Sequence, residues 1–143
     1  MFQEMGMVPE QLLQSFRATS VARIGRALRS GEYIGWLASH SDDPQIVAGA
    51  GVQRRQVLPH PFGDRPGRFT IVDGSEAVIL NVFTEPQWRR RGIARLLMRA
   101  ILAWAREQRL DGLVLHASQD GRALYQQLGF VATTEMRFSD RLA

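Results

Sequence analysis

Arg89-Arg90-Arg91-Gly92-Ile93-Ala94 is the stretch from which the rest of this chain can be read. It follows a strand-like apolar run, Ala77-Val78-Ile79-Leu80-Asn81-Val82-Phe83-Thr84. It opens a helix-like run from Ile93 to Arg109, in which Ile93, Leu97, Ala100, Ile101 and Trp104 recur at helical spacing. Strand, short basic turn with glycine, then helix is an order that builds an anion cradle. The first backbone N–H groups of a helix lack intrahelical partners and carry the positive end of its dipole. A diphosphate placed there accepts several N–H bonds at once. Gly92 has no Cβ, so the backbone can approach a ligand closely, and small Ala94 keeps the first turn open. Consecutive arginines add charge and forked donors that suit phosphate. The expected cradle is Arg89, Arg90, Arg91, Gly92, Ile93, Ala94 and Arg95.

Working outward, Val8-Pro9-Glu10 suits a helix start, with Leu12, Leu13 and Phe16 as a short apolar stripe. Thr19 or Ser20 is expected to cap a second helix, with Val21, Ile24 and Leu28 inward and Gly31 ending it. Tyr33 to Ala38 and Ile46 to Val57 read as strands around an Asp42-Asp43-Pro44 turn. Residues 58 to 75 carry Pro59, Pro61, Gly63, Pro66, Gly67 and Gly74 and read as a long loop, either part of a functional pocket or a surface insertion. Glu76 to Thr84 is a central strand. Asp111-Gly112 leads into a strand at Leu113-Val114-Leu115-His116, and Asp120-Gly121 precedes a short helix with Leu124, Tyr125 and Leu128. Gly129 stops that helix, and Phe130 to Phe138 is expected to form the last strand. Gly49-Ala50-Gly51 lacks a third glycine and a following helix, so it is no dinucleotide motif.

The 143 residues fit one domain, 1–143, and a hydrophobic fraction of 45% suits a packed core. No apolar run approaches the ~20 residues that span a bilayer. The N-terminus, Met1-Phe2-Gln3-Glu4-Met5-Gly6, shows no secretory leader, so a cytoplasmic location is expected. Without cysteine there is no disulfide, thiolate ligand or cysteine nucleophile. His40, His60 and His116 are far apart with no paired ligands, so no metal is expected. All 18 basic side chains are arginine and the formal charge is +4. That balance invites a nucleic-acid reading. The spread of the arginines argues against it, because their one dense cluster lies on the anion cradle.

Arg89, Gly92 and Ala94 fit the spacing Arg/Gln, two residues, Gly, one residue, Gly/Ala. Glu85-Pro86-Gln87-Trp88 supplies an acidic residue and proline just before it, and Ala123-Leu124-Tyr125-Gln126-Gln127-Leu128-Gly129-Phe130 fits the pattern A-L-Y-x-x-L-G-F. On these residues the chain resembles the GNAT acyltransferase superfamily, well over 76–138, in outline over 32–57 and loosely over 1–31. The resemblance implies an α/β (α+β) domain with a mixed, mostly antiparallel sheet flanked by helices. It implies an N-acetyltransferase that moves acetyl from acetyl-CoA directly to the amine of a small molecule or peptide. Residues 1–6 resemble the end of the family's first helix, so its initial strand is expected to be missing. The sheet edge so exposed would favour a homodimer.

The resemblance also assigns roles. Strands Glu76–Thr84 and Leu113–Ala117 should splay to admit pantetheine, with the backbone of Asn81, Val82, Phe83 and Thr84 meeting its amides and the thioester carbonyl. An N–H aimed at that carbonyl would stabilise an oxyanion. Tyr125 is the expected general acid for the leaving thiolate. Ser118 stands where many members carry a cofactor-contacting asparagine, and Arg122 could meet a CoA phosphate. Some members carry a glutamate base where this chain has Leu113-Val114-Leu115, which leaves His116 as the candidate base, with Asn81 and Glu4 behind it. Two other readings stay open: a CoA-binding module without efficient catalysis, and a nucleic-acid binder with steep salt dependence. The acceptor is not fixed by fold-level analogy.

Overall fold

The computed structural model describes residues 9–136. Helix α1 (Glu10–Ser30) leads into strands β1 (Tyr33–His40) and β2 (Asp43–Gln56). A hairpin of β3 (His60–Arg65) and β4 (Arg68–Val72) follows, then β5 (Ser75–Thr84). A 3-10 turn at Pro86–Trp88 precedes α2 (Ile93–Glu107), β6 (Gly112–Leu115) and α3 (Gln119–Gln127). The main sheet has the order β1-β2-β5-β6. Its first two pairings are antiparallel and the β5/β6 pairing is parallel, so the sheet is mixed and mostly antiparallel, as expected.

The core lies between this sheet and α2. Alternation turns Ala48, Ala50 and Val52 of β2 and Ala77 and Ile79 of β5 to one face, where they meet Leu97, Met98 and Ile101. Alanines on the strands let the helix come close, and Met98 and Ile101 are fully buried. Ile34, Trp36 and Ala38 of β1 extend the cluster on one side, and Tyr125, Leu128 and Phe130 extend it on the other. Trp104 meets Trp36 edge-on at 5.5 Å between ring centroids, and the Arg54 guanidinium lies 5.9 Å from its ring. Start and end of β5 are anchored separately. The Asp111 carboxylate accepts from the N–H groups of Gly74 and Ser75 at 2.8 and 2.9 Å, and Glu85 N–H donates to Val47 O at 2.9 Å.

Five expectations change. The first 21 helical residues form one helix rather than two, because no proline interrupts them and one internal glycine costs too little to break a helix. Thr19 and Ser20 are therefore interior residues, and Pro9 stands just before the helix. Val21 and Leu28 are not inward but 66% and 50% exposed. Residues 58–75 are not a loop: Pro66-Gly67 is a two-residue turn, with Arg65 and Arg68 paired across it. Residues 130–136 form no strand; Phe138, like Glu4 and residues 1–6, lies outside the described residues. The second splayed strand ends at Leu115, so His116 and Ala117 lie just past it. Among the described residues no helix is long and apolar enough to cross a membrane.

Candidate active site

The two parallel strands separate where the chain chemistry changes. β5 and β6 pair from Glu76 and Gly112 to Ile79 and Leu115, after which β6 stops and β5 runs on to Thr84. On its other side β5 carries a bulge. Gly51 of β2 faces Leu80 and Gly49 faces Phe83, so β5 holds one residue more than β2 between these pairs. Asn81 sits there at φ +55, in the left-handed region that asparagine tolerates better than most residues. A bulge strengthens the local twist and bend, and this one falls two residues past the last β5/β6 pair, Ile79 and Leu115.

After Thr84 the chain enters the basic turn. Arg89 Nε donates to Thr84 O at 3.0 Å, and its guanidinium lies 5.8 Å from the Phe83 ring centroid. Arg90 takes φ +62 and Gly92 φ +82. Gly92 is the residue before α2, and the first bond into the helix runs from Leu96 N–H to Gly92 O at 3.0 Å. The N–H groups of Ile93, Ala94 and Arg95 therefore precede the helical ladder and have no partner within it. Apart from its two chain neighbours, no heavy atom of the described residues lies within 4 Å of where a Gly92 Cβ would stand, so this side of the turn is open.

Helix α3 closes the opposite wall. Ser118 caps it, its Oγ accepting from Gly121 N–H at 3.2 Å. Tyr125 rises one turn later, and its ring passes so close to Gly121 that a Cβ there would sit 2.7 Å from it. The ring meets Phe130 edge-on at 6.2 Å. Among the described residues the Tyr125 hydroxyl has no hydrogen-bond partner. Its burial pushes the phenol above the ordinary tyrosine value, because the phenolate would lose hydration. The Arg95 guanidinium bonds the Gln127 amide oxygen, tying α2 to α3.

Between these elements lies a cleft of about 1070 Å³. Its lining brings together Asn81, Val82, Phe83, Thr84, Arg89, Arg90, Gly92, Ile93, Ala94, Arg95, His116, Ser118 and Tyr125. Two candidates stay out of it. The Arg91 guanidinium lies 4.9 Å over the Trp88 ring, where the cation meets the π face. Arg122 points to solvent from the first turn of α3, its N–H bonded to Ser118 O. Ser118 lines the cleft while its hydroxyl oxygen also caps α3, which leaves its O–H free to donate. His116 is in the lining but its side chain is 59% exposed, with Glu135 Oε1 3.8 Å from Nε2. Sequence reasoning passed over Trp88, Asp120, Leu124 and Gln127, which also line the cleft. Helical spacing from Tyr125 points to Gly121, which also lines the cleft, but Trp88 carries no periodic signal. Three arginines against the single carboxylate of Asp120 make the cleft electropositive.

The chain is similar to a GCN5-related N-acetyltransferase from Ralstonia eutropha JMP134, with 29% identity, TM-score 0.78, and 97% of this chain and 84% of that one covered. It is similar in fold to a predicted acetyltransferase from Clostridium acetobutylicum solved with acetyl-CoA, with 24% identity, TM-score 0.76, and 97% and 82% covered. The aminoglycoside N-acetyltransferase AAC(6')-Iy, solved with a bisubstrate analogue, has TM-score 0.68 at 18% identity, with 88% and 80% covered. No curated protein matches the sequence. The model of the acetyltransferase (GNAT) family matches residues 3–130, and the chain belongs to that family of acyltransferases.

Proposed function

We propose that this chain transfers an acetyl group from acetyl-CoA directly to an acceptor amine in the cleft between β5 and β6. One observation carries the reading. Tyr125, half-buried and with no hydrogen-bond partner for its hydroxyl among the described residues, lines the same cleft as the start of α2, whose first N–H groups have no partner within the helix. Acetyl-CoA needs a diphosphate site, a strand-like backbone for its amides and a proton donor near sulfur. The residues present offer all three. The start of α2 with Arg89, Arg90 and Arg95 would hold the phosphates. The β5 backbone from Asn81 to Thr84, free of β6, would pair with pantetheine as an added strand. An N–H there would stabilise negative charge on the carbonyl oxygen.

In the transfer, the amine nitrogen bonds the acetyl carbon, the carbon–sulfur bond breaks, and the amine loses a proton. Tyr125 gives its proton to the departing sulfur and recovers one from solvent. His116 takes the amine proton, directly or through water, and Glu135 is the acid group beside it. The aminoglycoside enzyme among the structural neighbours makes a small-molecule amine a reasonable first acceptor class to test. Strand β1 has a free edge among the described residues and carries no arginine or aspartate, so we further propose a homodimer through it, tested by light scattering across concentration.

The deciding experiment mixes purified chain, acetyl-CoA and a panel of amines, follows free thiol, and identifies acetylated product by mass. Transfer to an amine supports the proposal. CoA binding with no product from any amine would instead favour the non-catalytic binding module. That alternative draws on the exposure of His116 and the aliphatic run Leu113-Val114-Leu115 that precedes it.

A further inference from the structure

The bulge in β5 has a neighbour two strands away that the transfer step does not use. Tyr33 opens β1, and its ring lies across β2. A Cβ placed on Gly51 would fall 1.9 Å from the Tyr33 hydroxyl oxygen and 2.2 Å from the carbon that bears it. No other residue type leaves that path open. Gly51 pairs with Gly35 of β1 and with Leu80 of β5, the residue just before the bulge. On the far side of β2 the Tyr33 hydroxyl accepts a hydrogen bond from Asn81 Nδ2 at 3.1 Å. Asn81 is the bulge residue, held at φ +55. Three adjacent strands thus contribute one residue each to a single contact.

The backbone state of Asn81 matters beyond itself. Extended geometry at this residue would remove the bulge, and one residue of slip exchanges the faces of everything that follows in a strand. Val82, now packed against the core, and Phe83, now opposite Gly49, would trade sides. The same slip would turn the N–H and C=O groups that line the cleft. Asparagine visits both states, so a side-chain bond that holds one of them selects the backbone the cleft presents.

We infer that Tyr33 and Gly51 are positioning residues that latch Asn81 in its left-handed state and so fix the cleft-facing backbone of β5. The catalytic consequence rests on the transfer reading above; the latch itself does not. Tyr33→Phe keeps the ring over Gly51 and removes the hydroxyl. Asn81→Gly reaches φ +55 without help. Gly51→Ala displaces the ring, and should it fail to fold, the other two variants decide the matter.

Two measurements on the full chain test the latch. Hydrogen–deuterium exchange in residues 80–84 should quicken in Tyr33→Phe by about two- to tenfold, the worth of one neutral hydrogen bond, while residues 97–105 of α2 stay unchanged. With an accepted amine, Tyr33→Phe should lower kcat by a similar ~2–10-fold and leave the acetyl-CoA KM within about twofold, since the phosphate cradle is untouched. In an Asn81→Gly background, Tyr33→Phe should add no further loss of kcat, because the bond it removes is already gone. Unchanged exchange at 80–84, unchanged kcat, or losses that multiply in the double variant would each overturn the latch. A wild-type chain that acetylates no amine would sink the transfer reading alone, and the exchange measurement would still decide the latch.

Discussion

Gly92 offers the sharpest test of the phosphate cradle. It holds φ +82 just before α2, and among the described residues a Cβ there would meet no heavy atom within 4 Å beyond its two chain neighbours. A substitution therefore acts through the backbone and not through a protein clash. Left-handed geometry costs an L-residue roughly 1–2 kcal/mol and glycine essentially nothing; for a β-branched side chain it is a true outlier. The chain can meet that cost in two ways. If the turn keeps its shape, stability falls by the whole amount. If the turn relaxes, the N–H groups of residues 93–95 rotate away, and CoA affinity falls by up to the ~5–30-fold that such an energy represents. Gly92→Asn separates this account from simple crowding of the ligand, since asparagine is bulky yet tolerates the left-handed region. Backbone strain ranks the losses Val worst, Ala intermediate and Asn least. Crowding ranks Ala least. Calorimetric titration with CoA and a urea midpoint for each variant read both routes. If Gly92→Ala matches wild type in both, or Gly92→Asn loses more than Gly92→Ala, the strain account is wrong.

Neutralising Arg89, Arg90 and Arg91 together should weaken CoA binding more at 20 mM than at 500 mM salt, because added salt already screens part of their charge. Arg91→Gln alone should change Trp88 fluorescence more than CoA affinity, as its guanidinium lies over that ring. Met98→Ala should lower stability by about 2–5 kcal/mol in denaturant melts, since the side chain is fully buried in the α2 interface. Tyr125→Phe should cut kcat by the ~10²–10⁴-fold of a lost general acid, with little change in acetyl-CoA affinity. Burial raises the Tyr125 pKa, so the acid form persists to higher pH, and no alkaline loss of kcat from this group should appear below about pH 10. His116→Gln should flatten the acidic limb of the same profile if the imidazole is the base; an intact limb would leave His116 a surface residue.

What the sequence reveals here depends on whether a signal lies along one element or between several. The basic turn and α2 were legible because glycine, arginines and a helical apolar period stand in one run. The place of Tyr125 on a short helix was legible for the same reason, within an eight-residue motif. The hairpin at residues 60–72 was hidden because prolines and glycines obscure the short run Arg68-Phe69-Thr70-Ile71-Val72. Thr19 and Ser20 suggested a cap, but a cap signal ends a helix only when something else breaks the hydrogen-bond ladder, and nothing in α1 does.

The bulge shows the limit most clearly. Within Ala77 to Thr84 no residue breaks the apolar run except Asn81, and a lone asparagine in a strand is a weak sign. Its meaning appears only across strands, where Gly51 opens a path and Tyr33 fills it. Alternation along β1 and β2 cannot predict that contact, because it places Tyr33 and Gly51 on the same face without saying that one lies over the other. The feature that would aim the β5 backbone at a thioester thus depends on three residues separated by 18 and 30 positions, numbered 33, 51 and 81. A glycine kept for space in one strand and an asparagine kept for conformation in the next are one device. Changing either should expose the other, which is why the paired variants, rather than any single one, carry the test.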